Sequence, residues 1–140
     1  MQAVMTEAEL AGFLAREFPQ VSGDFRIERL TPEGIEMRLC VADRHLRPGG
    51  TVSGPTIFAL ADVAVYLALL ARIGPVALAV TTGASIDFLR KPEAGRDLIG
   101  SARLLKLGRV LVVGEVMVRS EGREEPVARS SMTYSIPPNR

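Results

Sequence analysis

The chain has 140 residues, 47% of them hydrophobic and 24% charged, a balance that excludes a disordered polypeptide and suits one domain with a full core. Lys and Arg number 17 against 16 Asp and Glu, and the resulting net charge of +1 leaves no electrostatic footprint for nucleic acid. One Cys (Cys40) and one His (His45) make neither an internal disulfide nor a zinc site, so no metal or other cofactor is expected.

Thr6 and Glu9 have the spacing of a capping box, and Leu10, Phe13 and Leu14 follow on one face. This predicts a short helix that stops by Phe18, because Pro19 disfavours helical geometry in the residue before it. The opening MQAVMTEAEL lacks the basic-then-apolar run of a signal peptide, and the expected location is cytoplasmic. Residues 1–22 read as a helical lead-in and 23–140 as the core of the same domain. Two β-like runs, 24–30 and 35–41, flank Thr31-Pro32-Glu33-Gly34 and predict a hairpin.

Arg47-Pro48-Gly49-Gly50 is a loop, and Ser53-Gly54-Pro55 has the chemistry of a helix start: Ser53 caps, and a proline in the first turn loses no needed hydrogen bond. The helix should run to about Ile73, with Gly74-Pro75 closing it. Residues 57–70 read IFALADVAVYLALL, apolar on nearly every side. That run is shorter than the roughly 20 residues of a bilayer span, and Asp62 sits in its middle. A helix buried in a soluble core is expected, with no membrane partner.

Four strands are predicted after it, at 80–89, 97–107, 110–119 and 127–136, punctuated by Gly108, Glu121-Gly122 and Pro126. Strict alternation in the first puts Val80, Thr82, Ala84, Ile86 and Phe88 on one face and Thr81, Gly83, Ser85 and Asp87 on the other. The order is helix, two strands, one long apolar helix, four strands. It is not a βαβ repeat, and an α+β architecture follows, with a curved, mostly antiparallel sheet wrapped around the long helix. The sheet covers one side of that helix. Its other apolar side needs cover, which points to a second copy of the chain.

Asp62 is the most informative residue. A carboxylate in this apolar stretch forfeits hydration unless something pairs with it. One reading is structural: an Arg partner or backbone donors. The other is a base or nucleophile in a dry pocket, where desolvation makes carboxylates more basic. The helix start is the second feature. Its free N–H groups and dipole suit a developing oxyanion, and with Pro55 withholding one donor the candidates are Gly54 N–H and Thr56 N–H. Asp62 lies eight residues beyond Gly54, about 12 Å along the helix axis. Both cannot touch one reacting carbonyl, so if both act on one substrate the Asp comes from a neighbouring copy.

The pattern Ser53-Gly54-Pro55, Leu60-Ala61-Asp62 and Ile86-Asp87-Phe88-Leu89-Arg90-Lys91-Pro92 resembles the hotdog-fold acyl-CoA thioesterases of the phenylacetic acid degradation type, from about Gly23 onward. The resemblance implies a hotdog fold and hydrolysis of an acyl- or aryl-CoA thioester in a site shared between two subunits. It implies a homodimer, assembled as a homotetramer, whose small-molecule partner is the acyl-CoA. Asp62 would be the general base or nucleophile, Gly54 N–H the carbonyl donor from the other subunit, and Thr81 the hydroxyl that places the water. Ser53 stands where the family has His, Arg47 where it has Asn, and Pro55 where it has a second Gly. Arg47, Thr56, Tyr66 and Arg90 are the candidate substrate-binding residues. Tyr66 is one turn after Asp62, within reach of a hydrogen bond to it, and Asp87 is expected to pair with Arg90 or Lys91. Loss of the His leaves two alternatives, a non-catalytic acyl-CoA binding hotdog protein and, more remotely, a hydratase. Ser53 as a nucleophile is disfavoured, because His45 lies in a different loop.

Overall fold

The computed structural model describes residues 2–138. Thr6 caps helix α1 (Glu7–Glu17) through the full capping box: its hydroxyl accepts from Glu9 N–H at 3.1 Å, and the Glu9 carboxylate accepts from Thr6 N–H at 2.9 Å. Such a cap stabilises a helix by about 1 kcal/mol. The helix ends at Phe18 as Pro19 requires. One further helical turn, α2 (Pro19–Ser22), starts on that proline, where it loses no needed hydrogen bond.

Strands β1 (Phe25–Leu30) and β2 (Gly34–Leu39) form the expected hairpin, one or two residues shorter at their outer ends. A 3-10 turn (Asp43–His45), not signalled by the sequence, leads to the loop before α3 (Gly54–Ile73). Four strands follow, β3 (Val80–Phe88), β4 (Leu98–Leu107), β5 (Leu111–Ser120) and β6 (Pro126–Ser135). All six form one curved antiparallel sheet in the order β1-β2-β4-β5-β6-β3. This is the expected α+β hotdog layout, with β3 at an edge.

Helix α3 lies against the sheet's inner face, and its Leu60, Leu67, Leu69 and Leu70 are fully buried. Each contributes roughly 1.5–3 kcal/mol by transfer from water. Two strand glycines set how closely it approaches. A Cβ on Gly100 would lie 3.2 Å from Leu60 Cγ, and one on Gly114 3.1 Å from Val65 Cγ1. At the helix's far end the buried Arg72 donates to the carbonyls of Gly34 (3.0 Å), Ala68 (3.3 Å) and Thr31 (2.6 Å), tying α3 to the β1–β2 turn.

Two expectations about α3 change. The helix is 20 residues long, so by length and composition it could cross a bilayer; its hydropathy is accounted for because 72% of the most apolar window is buried inside the fold. The second copy is also not needed along the whole of its outer side. Leu10, Phe13 and Leu14 of α1 join the same core cluster, and Val4 N–H bonds Ala71 O at 2.6 Å. What α1 leaves half-open is a stripe near the helix start: Phe58, Ala59 and Asp62, with Pro55 exposed.

Strand β3 departs from strict alternation. The register with β6 shifts between Thr81, opposite Tyr134, and Gly83, opposite Thr133, so Thr82 is an extra, bulged residue. One inserted residue moves side chains to the other face. Thr81 therefore shares the helix-facing side with Ala84, Ile86 and Phe88, rather than the outer side with Gly83, Ser85 and Asp87.

Candidate active site

Asp62 projects from the half-open stripe of α3 toward the β3–β6 edge. Thr81 Oγ1 donates to its Oδ1 at 2.5 Å, and the Tyr134 hydroxyl lies 2.7 Å from the same oxygen and 3.0 Å from the Asp62 carbonyl. Thr81 and Tyr134 are direct cross-strand partners, so the β3 bulge delivers both hydroxyls to one carboxylate oxygen. Among the described residues no Lys or Arg pairs with Asp62, and its Oδ2 has no protein hydrogen-bond partner. The structural reading of an Arg or backbone partner is thus replaced by two neutral hydroxyls on one oxygen.

Tyr134 is the residue that sequence reasoning missed. Burial, followed by the neighbouring Asp62 charge, pushes its phenol well above the ordinary tyrosine value, so it stays a proton donor. It shares the helix-facing side of β6 with the buried Met132. Nothing in the sequence said which helix residue it would meet.

A cavity of about 330 Å³ opens beside Asp62, walled in part by Phe18, Tyr66, Ala77 and Thr81. Tyr66 does not bond Asp62, as its spacing had suggested. Its hydroxyl donates to Ala77 O at 2.9 Å, and its ring stacks on Tyr134 with centroids 6.1 Å apart.

The start of α3 faces a second cavity, of about 380 Å³, lined by Gly54, Arg47, Phe88, Arg90 and Lys91 among others. Ser53 is the N-cap: its hydroxyl is 2.9 Å from that of Thr56 and accepts from Thr56 N–H at 3.4 Å. That occupies one of the two expected oxyanion donors. Gly54 N–H, by contrast, donates to nothing among the described residues. Phe88 packs beside this residue, with Cζ 3.3 Å from where a Gly54 Cβ would be.

Arg47 is exposed and has no ion-pair partner among the described residues, while Arg90 donates to Pro126 O. Asp87 pairs with Arg129, its cross-strand neighbour on β6, at 2.9 Å and not with Arg90 or Lys91. His45 is buried away from both cavities. Its Nδ1 accepts from Ala42 N–H at 2.9 Å, its Nε2 lies 3.1 Å from Asp24 Oδ1, and its carbonyl accepts from Ser53 N–H at 2.9 Å. It anchors the loop that leads to Gly54.

The predicted site residues therefore fall into two groups, Asp62, Thr81 and Tyr66 at one cavity and Gly54, Arg47 and Arg90 at the other, with Ser53 and Thr56 on either side of Gly54 at the helix start.

Residues 49–127 match the family profile of the Thioesterase superfamily. No curated protein matches the chain. Among solved structures, a protein from a Silicibacter species described as a candidate thioesterase is 62% identical over 99% of this chain and 96% of its own, with a TM-score of 0.93. A point mutant of the phenylacetic acid degradation protein PaaI from Thermus thermophilus is 29% identical, covering 85% of this chain and 99% of its own, with a TM-score of 0.73. A hypothetical thioesterase from Streptococcus pneumoniae, solved with coenzyme A, shares the fold at 20% identity and a TM-score of 0.74, over 91% of this chain and 96% of its own. The chain belongs to the thioesterase superfamily and is a thioester hydrolase of the hotdog fold, similar to PaaI.

Proposed function

We propose that this protein hydrolyses an acyl- or aryl-CoA thioester to the free acid and CoA, in a site that two subunits share. The observation that carries the reading is the separation of its polar groups. Asp62 presents a free carboxylate oxygen to one cavity, and Gly54 presents an unused N–H to another. Eight helical residues, about 12 Å of rise, stand between them. A homodimer that sets one chain's Asp62 against its partner's Gly54 brings the pair together. The half-open stripe of Phe58, Ala59 and Asp62 beside the edge strand β3 is the surface available for that pairing. Assembly of two such dimers into a homotetramer accords with the resemblance.

In this reading Asp62 Oδ2 takes a proton from a water, and the water oxygen attacks the thioester carbonyl. Gly54 N–H of the other subunit holds the oxyanion that forms. Collapse breaks the C–S bond, and the proton held by Asp62 passes to the departing thiolate, giving acid and CoA. Attack by the carboxylate itself, through an anhydride that water then opens, uses the same two groups. Thr81 and Tyr134 fix the carboxylate by its other oxygen. The cations at the Gly54 cavity suit the phosphates of CoA, and the Streptococcus pneumoniae relative solved with coenzyme A supports that class of ligand.

The test is thiol release from a panel of aryl, short, medium and long acyl-CoAs, with Asp62→Asn in parallel. The variant should fold normally and lose about 10³-fold in kcat. Hydrolysis by Asp62→Asn at near wild-type rate would remove Asp62 from the mechanism. A wild type that binds the panel without releasing thiol would point to the acyl-CoA binding protein instead.

A further inference from the structure

One wall of the cavity beside Asp62 is a side chain that the hydrophobic core leaves out, that of Phe18. Phe18 caps α1, its N–H donating to Leu14 O at 2.9 Å, and its carbonyl accepts from Val21 and Ser22 N–H of α2, both at 3.2 Å. Its backbone is therefore held from both directions. Its ring is not buried with Leu10, Phe13 and Leu14; it remains 37% exposed, standing edge-on to Tyr66 with centroids 6.5 Å apart and planes at 89°. Tyr66 stacks on Tyr134, which bonds Asp62. An aromatic wall thus runs without a break from the outer rim of the cavity to the carboxylate. Phe18 and its neighbour Glu17 both precede residues 49–127, the segment that carries the family match.

The cavity's charge is one-sided. Glu17 and Asp62 are among its lining residues, and no Lys or Arg is. Glu17 makes itself felt there: after burial, its charge is the second influence raising the Tyr66 phenol above its ordinary value. The Gly54 cavity is the reverse, with Arg47, Arg90 and Lys91 and no carboxylate. A CoA ester would place its phosphates toward the cations, which leaves the Asp62 cavity for the acyl group. About 330 Å³ is room for roughly ten waters, space on the scale of a compact acyl group.

We infer that the acyl group lodges in this cavity and that Phe18 and Glu17 of the helical lead-in determine which acyl groups enter. Phe18 sets the depth and offers an aromatic edge, and Glu17 turns away a terminal carboxylate. This rests on the acyl-CoA hydrolase reading above, and its test has an arm that needs no turnover.

The experiment compares wild type with Phe18→Ala, Phe18→Leu, Phe18→Trp and Glu17→Gln. Phenylacetyl-, butyryl-, succinyl- and decanoyl-CoA are assayed for kcat and KM, and their non-hydrolysable thioether analogues for Kd by calorimetry. Phe18→Ala should lower kcat/KM for phenylacetyl-CoA about 10-fold while raising it for decanoyl-CoA, and Phe18→Trp should penalise both. Phe18→Leu, which keeps an apolar side chain at this position, separates loss of the aromatic edge from loss of folding. Glu17→Gln should raise kcat/KM for succinyl-CoA about 5-fold relative to that for butyryl-CoA. The thioether Kd values should move in the same order. If the wild type hydrolyses none of the four, the hydrolase reading falls, and the thioether affinities still decide this inference. Acyl preferences that are the same in wild type and all four variants, or thioethers that do not bind at all, overturn it.

Discussion

The two cavities of this chain differ less in size than in how their polar groups are committed. At the Asp62 cavity a carboxylate is held by one oxygen through two neutral hydroxyls, among aromatic rings and without a cation. At the Gly54 cavity a bare backbone N–H faces three basic side chains and an exposed phenyl ring. One is arranged to present negative charge and the other to receive it. A single α-helix carries both groups, so their separation is as fixed as its rise. On the proposed mechanism the difference means that neither cavity is a complete hydrolytic site, and each needs the other's contribution from a second chain.

The most direct way to break that comparison is to disable the two ends on different chains. Asp62→Asn and Gly54→Val homo-oligomers should each be nearly inactive. Mixed in equal amounts and refolded together, half of randomly paired dimers are mixed, each with one intact site, so about a quarter of wild-type activity should return. Thiol release measured after verified subunit exchange decides it. No recovery would mean that Asp62 and Gly54 do not serve one shared site.

The support beneath Asp62 comes next in size. Thr81→Ala and Tyr134→Phe each remove one of two hydrogen bonds to a charged oxygen, an interaction worth about 1.5–3 kcal/mol. If that support is realised in the transition state, kcat should fall about 10- to 100-fold with KM little changed. Non-additivity in the double variant would show that the two hydroxyls act as a unit. A Thr81→Ala enzyme with full kcat would reduce the Thr81 contact to packing.

How much of this was legible beforehand differs between the two cavities. Asp62 and Gly54 were, because each violates its surroundings: a carboxylate in a run of apolar residues, and a glycine between a capping Ser and a Pro. The long helix, the hairpin and the order of elements along the chain were readable from hydrophobic runs and turn residues. Thr81 was assigned to the wrong face because a bulge inserts one residue without any mark in the sequence. Tyr134 was invisible as a partner because its meeting with Asp62 depends on the β3–β6 register, a relation between segments 53 residues apart at Thr81 and Tyr134. The apolar stripe of α1 announced burial but not against what, and so part of the cover on α3 was credited to a second chain.

The cationic cavity should yield smaller effects. Replacing Arg47, Arg90 or Lys91 by Ala should raise KM for CoA esters several-fold with kcat unchanged, since exposed charges act on binding and are partly screened. The same variants should each show a weaker salt dependence of kcat/KM. A kcat defect in Arg47→Ala, located beside Gly54, would instead assign that side chain to the reacting carbonyl.

The smallest effect at neutral pH sharpens the Asp62 side. Tyr134 titrates above the ordinary tyrosine value when folded, because burial and then the Asp62 charge oppose its ionisation. The unfolded chain releases that proton at about pH 10. The sign is that of any group whose folded value is raised: its contribution is fully present below about pH 10 and is lost as pH climbs toward the folded value, at up to about 1.4 kcal/mol per pH unit. Tyr134→Phe should be about 1.5 kcal/mol less stable at pH 8, from the lost hydrogen bond to the carboxylate, yet lose less on going to pH 11 than wild type does. Its alkaline slope should not vanish, since burial and Glu17 raise Tyr66 in the same direction. Urea titrations of the two proteins across that range measure the difference. Parallel alkaline slopes would mean that the phenol is free to ionise in the folded protein, and the carboxylate would then share its pocket with a second negative charge instead of a proton donor.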